Sequence, residues 1–302
     1  MCRPGSRASL QCSIAICALF AACHGSSGET CTKDDDCTSH FCKLDGTCGP
    51  AITDGPLAAD AALDGASAAC TPDHDGKITA AELPLAAGQM ATFRIATNAT
   101  WSTAGTANPD GSRAWDLSGA LSNDTDEQLA LASPSGAWWA ADFASASYAT
   151  PLSSSSNLLG VFHLDATGVT LVGVVSPSGG ATKTELTYDP PAQILAVPMQ
   201  AGSTWTSTST VSGVAQGVIA AYDEQYQSSV DQVGTMVTPY GTFPVLRVAT
   251  DLTRTSGITT LLTNRTFAWL AECFGPVATV QSTDFETSTE FSDDAEVRRL
   301  AP

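Results

Sequence analysis

LLGVFHLDATGVTLVGVVS, residues 158–176, decides how the rest of the chain is read. Two apolar runs, rich in valine and leucine, flank the short break Asp165-Ala166-Thr167-Gly168. β-Branched residues on both sides of a glycine-containing break read as two strands joined by a tight turn. The same texture recurs on either side. ATFRIAT (91–97), ELTYDP (185–190), FPVLRVATDL (243–252) and TFAWLAECF (266–274) are further strand candidates. In VIAAYDEQY (218–226), Val218, Ala220, Tyr222 and Tyr226 share one face, and Glu224 falls on that face as well, which weakens the pattern. FETSTEF (285–291) alternates Phe285, Thr287, Thr289 and Phe291 against Glu286, Ser288 and Glu290. Convincing long helices are missing from residue 86 onward. The expected fold is therefore mainly β, a large curved antiparallel sheet, half-barrel or sandwich, spanning 86–302 and bent to protect its edges.

The 302 residues carry a formal net charge of −18. Nucleic acid is therefore not an expected partner, and anionic surfaces would need bridging cations. The four lysines, Lys33, Lys43, Lys77 and Lys183, form no cluster. Residues 1–22 carry Arg3 and Arg7, then an apolar run from Ile14 to Ala22 that is too short to span a bilayer. The stretch LFAAC (19–23) resembles a bacterial lipoprotein signal, and the resemblance implies cleavage before Cys23 and lipidation of that residue. The implied protein is held at the outer membrane or cell surface, with the membrane as a partner through its anchor. An ordinary signal peptide cut nearby is the alternative. The mature chain then has 11 basic and 31 acidic residues, a net charge of −20.

Residues 23–30 form a short polar tether, and CTKDDDCTSHFCKLDGTC (31–48) holds four cysteines with little apolar material. Such a segment needs covalent links in place of a core. Its spacing, C-x5-C-x4-C-x5-C, resembles Dickkopf-like cysteine-rich modules and implies a stapled knob. Three pairings are open, and Cys31–Cys42 with Cys37–Cys48 is preferred. Residues 49–69, rich in Ala, Asp, Gly and Pro, read as a linker. Cys70 and Cys273 remain, and an oxidising compartment pairs them.

TPDHDGKITAAE (71–82), within a segment running from 70 to 85, resembles an isolated EF-hand loop. With Gly76 at the sharp turn, the resemblance assigns Asp73, Asp75, the Lys77 carbonyl, Thr79 and Glu82 to one structural Ca²⁺. Thr71 occupies the first ligand position, where a carboxylate is usual, and Pro84 cuts the following helix short. The alternatives are a weak calcium site and a metal-free turn.

VPMQAGSTWTSTST (197–210) and FAWLAECFGPVATVQS (267–282) resemble secreted bacterial proteins of curved-sheet build, loosely grouped with half-barrel lipoprotein carriers. That resemblance implies a concave face for a lipid or other apolar ligand. No catalytic residue is expected. His163 is the sole imidazole after residue 86, and no G-x-S-x-G elbow, P-loop or dinucleotide fingerprint occurs. Glu185, Asp223, Glu224, Glu272 and Glu286 are the carboxylates from which a glycosidase pair would be drawn. Trp138 and Trp139 in SGAWWAADF would face opposite sides of a strand, leaving one indole buried and the other exposed or packed in a two-sided core. The expected function is a non-catalytic binding module for a lipid, another apolar molecule or an envelope component. A display protein without a small-molecule ligand and a carbohydrate-active enzyme are the alternatives.

Overall fold

The computed structural model describes residues 70–302, so the signal, the lipidation site Cys23, the Cys31–Cys48 knob and the linker lie outside the described residues. Strands β1 to β8 are Lys77–Ile78, Met90–Thr100, Thr106–Ala107, Arg113–Asp116, Thr125–Ala130, Tyr148–Pro151, Leu159–Asp165 and Gly168–Val175. Strands β9 to β16 are Glu185–Ala196, Met199–Gln200, Thr204–Ala215, Val218–Val237, Thr242–Ser256, Thr259–Ala271, Gly275–Ser282 and Asp293–Leu300. One turn of 3-10 helix, Ala80–Glu82, follows β1. Pro84, two residues on, keeps it from growing.

Twelve strands form one antiparallel path in the order β5-β2-β16-β15-β14-β13-β12-β11-β9-β8-β7-β6. The sheet curls until its two edges meet. Just beyond β5, Ala132 exchanges both backbone hydrogen bonds with Ala149 of β6, at 2.7 and 2.9 Å. The half-barrel expected from sequence is thus a barrel closed by a single bridge. The hairpin at 158–176 is as read: β7 and β8 pair from Leu159↔Val175 to Asp165↔Gly168 around Ala166-Thr167. Gly168 is required there, because a Cβ would lie 1.9 Å from the Leu195 carbonyl oxygen and φ is +131°.

β12 is the longest strand, 20 residues, and it shows why the sheet curves around a core. Tyr222, Glu224, Tyr226, Ser228 and Val230 are buried or half-buried, whereas Asp223, Gln225 and Gln227 are exposed. Beyond its pairing with β11, the short β4 runs parallel to β12 from Gly234↔Arg113 to Val237↔Asp116. Buried side chains fill the interior. Trp269, Phe267, Trp115 and Val280 anchor one apolar cluster, and Leu171, Tyr188, Val211 and Tyr226 anchor another.

Two stretches depart from their sequence reading. FETSTEF is not a strand but the connection between β15 and β16. Phe291 is buried, yet Phe285 is exposed and left-handed, with φ +62°. The cause is Arg247, only 1% exposed, which draws the Glu290 carboxylate inward at 2.7 Å. Arg247 also pairs with Asp231 at 2.6 Å and donates to the Thr103 carbonyl at 2.8 Å. SGAWWAADF is a run of turns, not a strand. Trp139 is nonetheless buried against Phe143, and Trp138 is half-buried beneath Lys183, whose Nζ lies 4.8 Å from the ring centroid.

The barrel has two distinct ends. The chain enters at Cys70, which is disulfide-bonded to Cys273 with a Cα–Cα distance of 5.5 Å, as expected from sequence. Cys273 lies in the β14–β15 turn, at the end that also carries the β7–β8 and β12–β13 turns. The opposite end carries the β6–β7 and β8–β9 loops and the β11–β12 and β13–β14 turns.

Candidate functional site

At the Cys70 end, the 71–82 loop is wound by its own carboxylates. Asp73 Oδ1 accepts the Asp75 N–H at 3.1 Å, and Asp75 Oδ1 accepts the Lys77 N–H at 2.7 Å. Gly76 is left-handed, with φ +79°, as the sharp turn requires. Glu82 is buried, and its Oε2 accepts both the backbone N–H and the hydroxyl of Thr79 at 2.8 Å. Thr71 is exposed at the loop entrance.

Asp73 and Glu82 converge with a third carboxylate, Glu272, one ligand oxygen of each lying within 4.8 Å of the others. Glu272 also accepts the His74 N–H at 2.8 Å. Three carboxylates so placed offer the hard oxygen donors that a divalent cation needs. Reading by sequence placed Glu272 only among glycosidase candidates. The signal that could have found it is its neighbour Cys273: pairing with Cys70 delivers Glu272 to the loop, and the Cys273 N–H bonds the Glu82 carbonyl at 2.9 Å.

The other proposed carboxylates are engaged separately. Lys183 pairs with Glu185, Thr210 donates to Asp223 at 2.9 Å, and Glu286 accepts the Ser288 N–H at 2.6 Å. Glu224, on the apolar face of β12, is fully buried and sits across from Arg254, whose Nη2 is 2.7 Å away. Tyr226 donates its hydroxyl to Glu224 at 2.5 Å, and the Arg254 guanidinium stacks 4.5 Å from the Tyr222 ring centroid. The charge that blurred the sequence pattern is therefore matched within the barrel. Burial holds the Tyr188 and Tyr226 hydroxyls well above their ordinary titration range. His163 donates from Nδ1 to the Ser145 carbonyl at 2.6 Å, which fastens the turn segment bearing the two tryptophans to β7.

Asp294 on β16 is 1% exposed, and neither carboxylate oxygen has a partner among the described residues. Burial, reinforced by the neighbouring Asp293, pushes its carboxyl up to about 7.

At the end opposite Cys70, a cavity of about 670 Å³ opens between the β6–β7 loop, the β8–β9 loop and the β11–β12 turn. It is lined by Ser155, Ser156, Ser176, Thr182 and Thr184. Asn157 and Gln216 also line it, and Leu158 packs against the Tyr188–Tyr226 cluster. Sequence reading did not anticipate this site. Its walls come from three segments that only sheet order makes neighbours.

No protein-family profile matches the chain, and no curated protein matches it. Among solved structures it is similar to a Bacteroides fragilis protein described as exported, with a YmcC-like fold. The two are 14% identical over 72% of this chain and 96% of the other, with a TM-score of 0.34.

Proposed function

We propose that this chain is an extracytoplasmic, lipid-anchored, non-catalytic binding module for an envelope component, with one structural Ca²⁺ in its 71–82 loop. The observation that carries the reading is the polarity of the barrel. The segment at Cys70 is fixed to one end of the barrel through Cys70–Cys273, and the cavity opens at the other. The wall chemistry favours an envelope component over a lipid, because seven of the eight residues around the cavity are polar. The filled interior favours the second reading, a display protein without a small-molecule ligand. Calcium is supported by the convergence of Asp73, Glu82 and Glu272, the last supplying the carboxylate that Thr71 lacks.

Native mass spectrometry of the mature protein, isolated from its own envelope, tests these points together. The expected spectrum carries the acyl mass, one calcium and an organic adduct. Cys23→Ser should release the protein from membranes, and persistent membrane association of that variant would refute the anchor. Calcium without an adduct would select the display reading. A spectrum without calcium would make 71–82 a metal-free turn.

A further inference from the structure

We infer that the rim cavity is a recognition site for a neutral, polyhydroxylated ligand, a segment of glycan, read chiefly by the carboxamides of Gln216 and Asn157. The inference rests on the binding-module reading and names its ligand class.

The first argument is charge. None of the residues around the cavity is ionisable, in a chain of net charge −18. An anion would meet an acidic protein with no counter-charge in the site, and a cation would find no carboxylate in its walls. The volume of about 670 Å³ lies within the range of small-ligand sites.

The second argument is which polar groups are left over. Ser176 Oγ donates to the Ser178 carbonyl at 2.8 Å and accepts the Thr184 N–H at 3.1 Å. Thr184 Oγ1 accepts the Gln216 N–H at 3.1 Å. The Ser176 N–H bonds the Thr184 carbonyl at 2.9 Å, and the Gly217 N–H bonds the Lys183 carbonyl at 3.0 Å. These bonds tie the β8–β9 loop to the β11–β12 turn and engage the hydroxyls of Ser176 and Thr184. Among the described residues, the side-chain amides of Asn157 and Gln216, both exposed, and the Thr182 hydroxyl make no hydrogen bond within the protein, and all three residues line the cavity. Each amide offers two donors and an acceptor, the set that matches adjacent hydroxyls on a sugar ring.

The third argument is backbone strain. Gln216 and Gly217 form the two-residue turn between β11 and β12, with φ of +51° and +79°. The first place in such a turn favours asparagine, aspartate or glycine, and a longer side chain there costs on the order of 1 kcal/mol. The second place is restricted to glycine, since a Cβ on Gly217 would sit 2.4 Å from the Ala181 carbonyl. The turn thus holds a glutamine where local preference opposes it, and that residue lines the cavity. Trp138, across the β8–β9 loop, is covered by Lys183 and does not offer a free face for stacking. Recognition here runs through hydrogen bonds.

The test is calorimetric titration of the detergent-solubilised mature protein with three probes: cellotetraose, the N-acetylglucosamine tetramer and the galacturonic acid tetramer. At least one neutral probe should bind at sub-millimolar Kd, and the anionic probe at least tenfold more weakly. Gln216→Gly removes the carboxamide while relaxing the turn, so it should weaken binding at least tenfold with Tm unchanged or raised. Asn157→Ala should act in the same direction. Absence of binding by both neutral probes to folded protein at about 10 mM would overturn the inference. Equal binding of the anionic probe would do the same, as would full affinity in Gln216→Gly. An apolar adduct in the envelope preparation, with no response to these probes, would remove the glycan assignment and leave the binding-module reading standing.

Discussion

Glu224 and Arg254 face each other across β12 and β13, with the carboxylate completely buried and the guanidinium one-third exposed. Their asymmetry sets an order of effects. Arg254→Met strands a buried charge and should cost about 3–5 kcal/mol of unfolding free energy. Glu224→Gln leaves a cation that still reaches water and should cost roughly 1–2 kcal/mol. The double variant Glu224→Leu, Arg254→Met should recover most of the larger loss. Urea midpoints of the four proteins decide this; a double variant no better than Arg254→Met alone would contradict it.

Asp294 should make stability fall as pH rises. Its folded-state pKa, about 7, lies above the ordinary carboxylate value, so the folded protein holds a proton that the unfolded chain has released. The contribution is complete below about pH 4 and lost progressively up to about pH 7. Asp294→Asn should flatten that slope and raise stability at pH 7 by roughly 1–3 kcal/mol, read from thermal melts between pH 4 and 8. An unchanged slope would mean that the carboxylate finds compensation elsewhere.

Calcium and the Cys70–Cys273 bond should be coupled. Glu272 precedes Cys273 in the chain, so reduction loosens one of the three converging carboxylates. Calcium should raise Tm, and Glu272→Gln or Asp73→Asn should abolish the rise. Reduced protein should bind calcium more weakly, and by linkage calcium should make the disulfide harder to reduce. Equal calcium affinity in oxidised and reduced protein would break the connection.

Gly168→Ala should be severe. The added methyl has no room beside the Leu195 carbonyl, and the backbone angle is foreign to alanine. A loss of about 3 kcal/mol or more is expected, against roughly 1–2 kcal/mol for Gly111→Ala, where φ is +88° and backbone strain acts alone. Gly111 has open space around its Cβ position. Comparable melting points for wild type and Gly168→Ala would mean that the hairpin shifts to admit the methyl.

The hairpin at 158–176 was legible because alternation, β-branched residues and a glycine turn all favour one local answer. Cys70–Cys273 was legible from pairing chemistry. FETSTEF had equally good alternation and failed, because a buried Arg247 that sequence cannot locate claimed Glu290. Glu224 looked like a flaw in a strand for the same reason: its partner Arg254 is 30 residues away and becomes adjacent only through register. The carboxylate cluster was half legible, from Asp73 and Glu82, while Glu272 arrived through the disulfide. The rim cavity was invisible, since its walls are ordinary polar loop residues until twelve strands set their order.

The covalent tie at Cys273 also fixes how the molecule would carry mechanical load. A pull on the chain upstream of Cys70 passes through the sulfur bridge into the turn between β14 and β15, two strands held on both flanks. A pull applied at the far mouth runs along the same strand axes. Between those two grips the ladder bonds are stretched side by side and share the force, so they resist as a group. Without the bridge, the two-residue β1–β10 pairing and the 3-10 turn would take the strain first, and the entry segment would peel from the barrel.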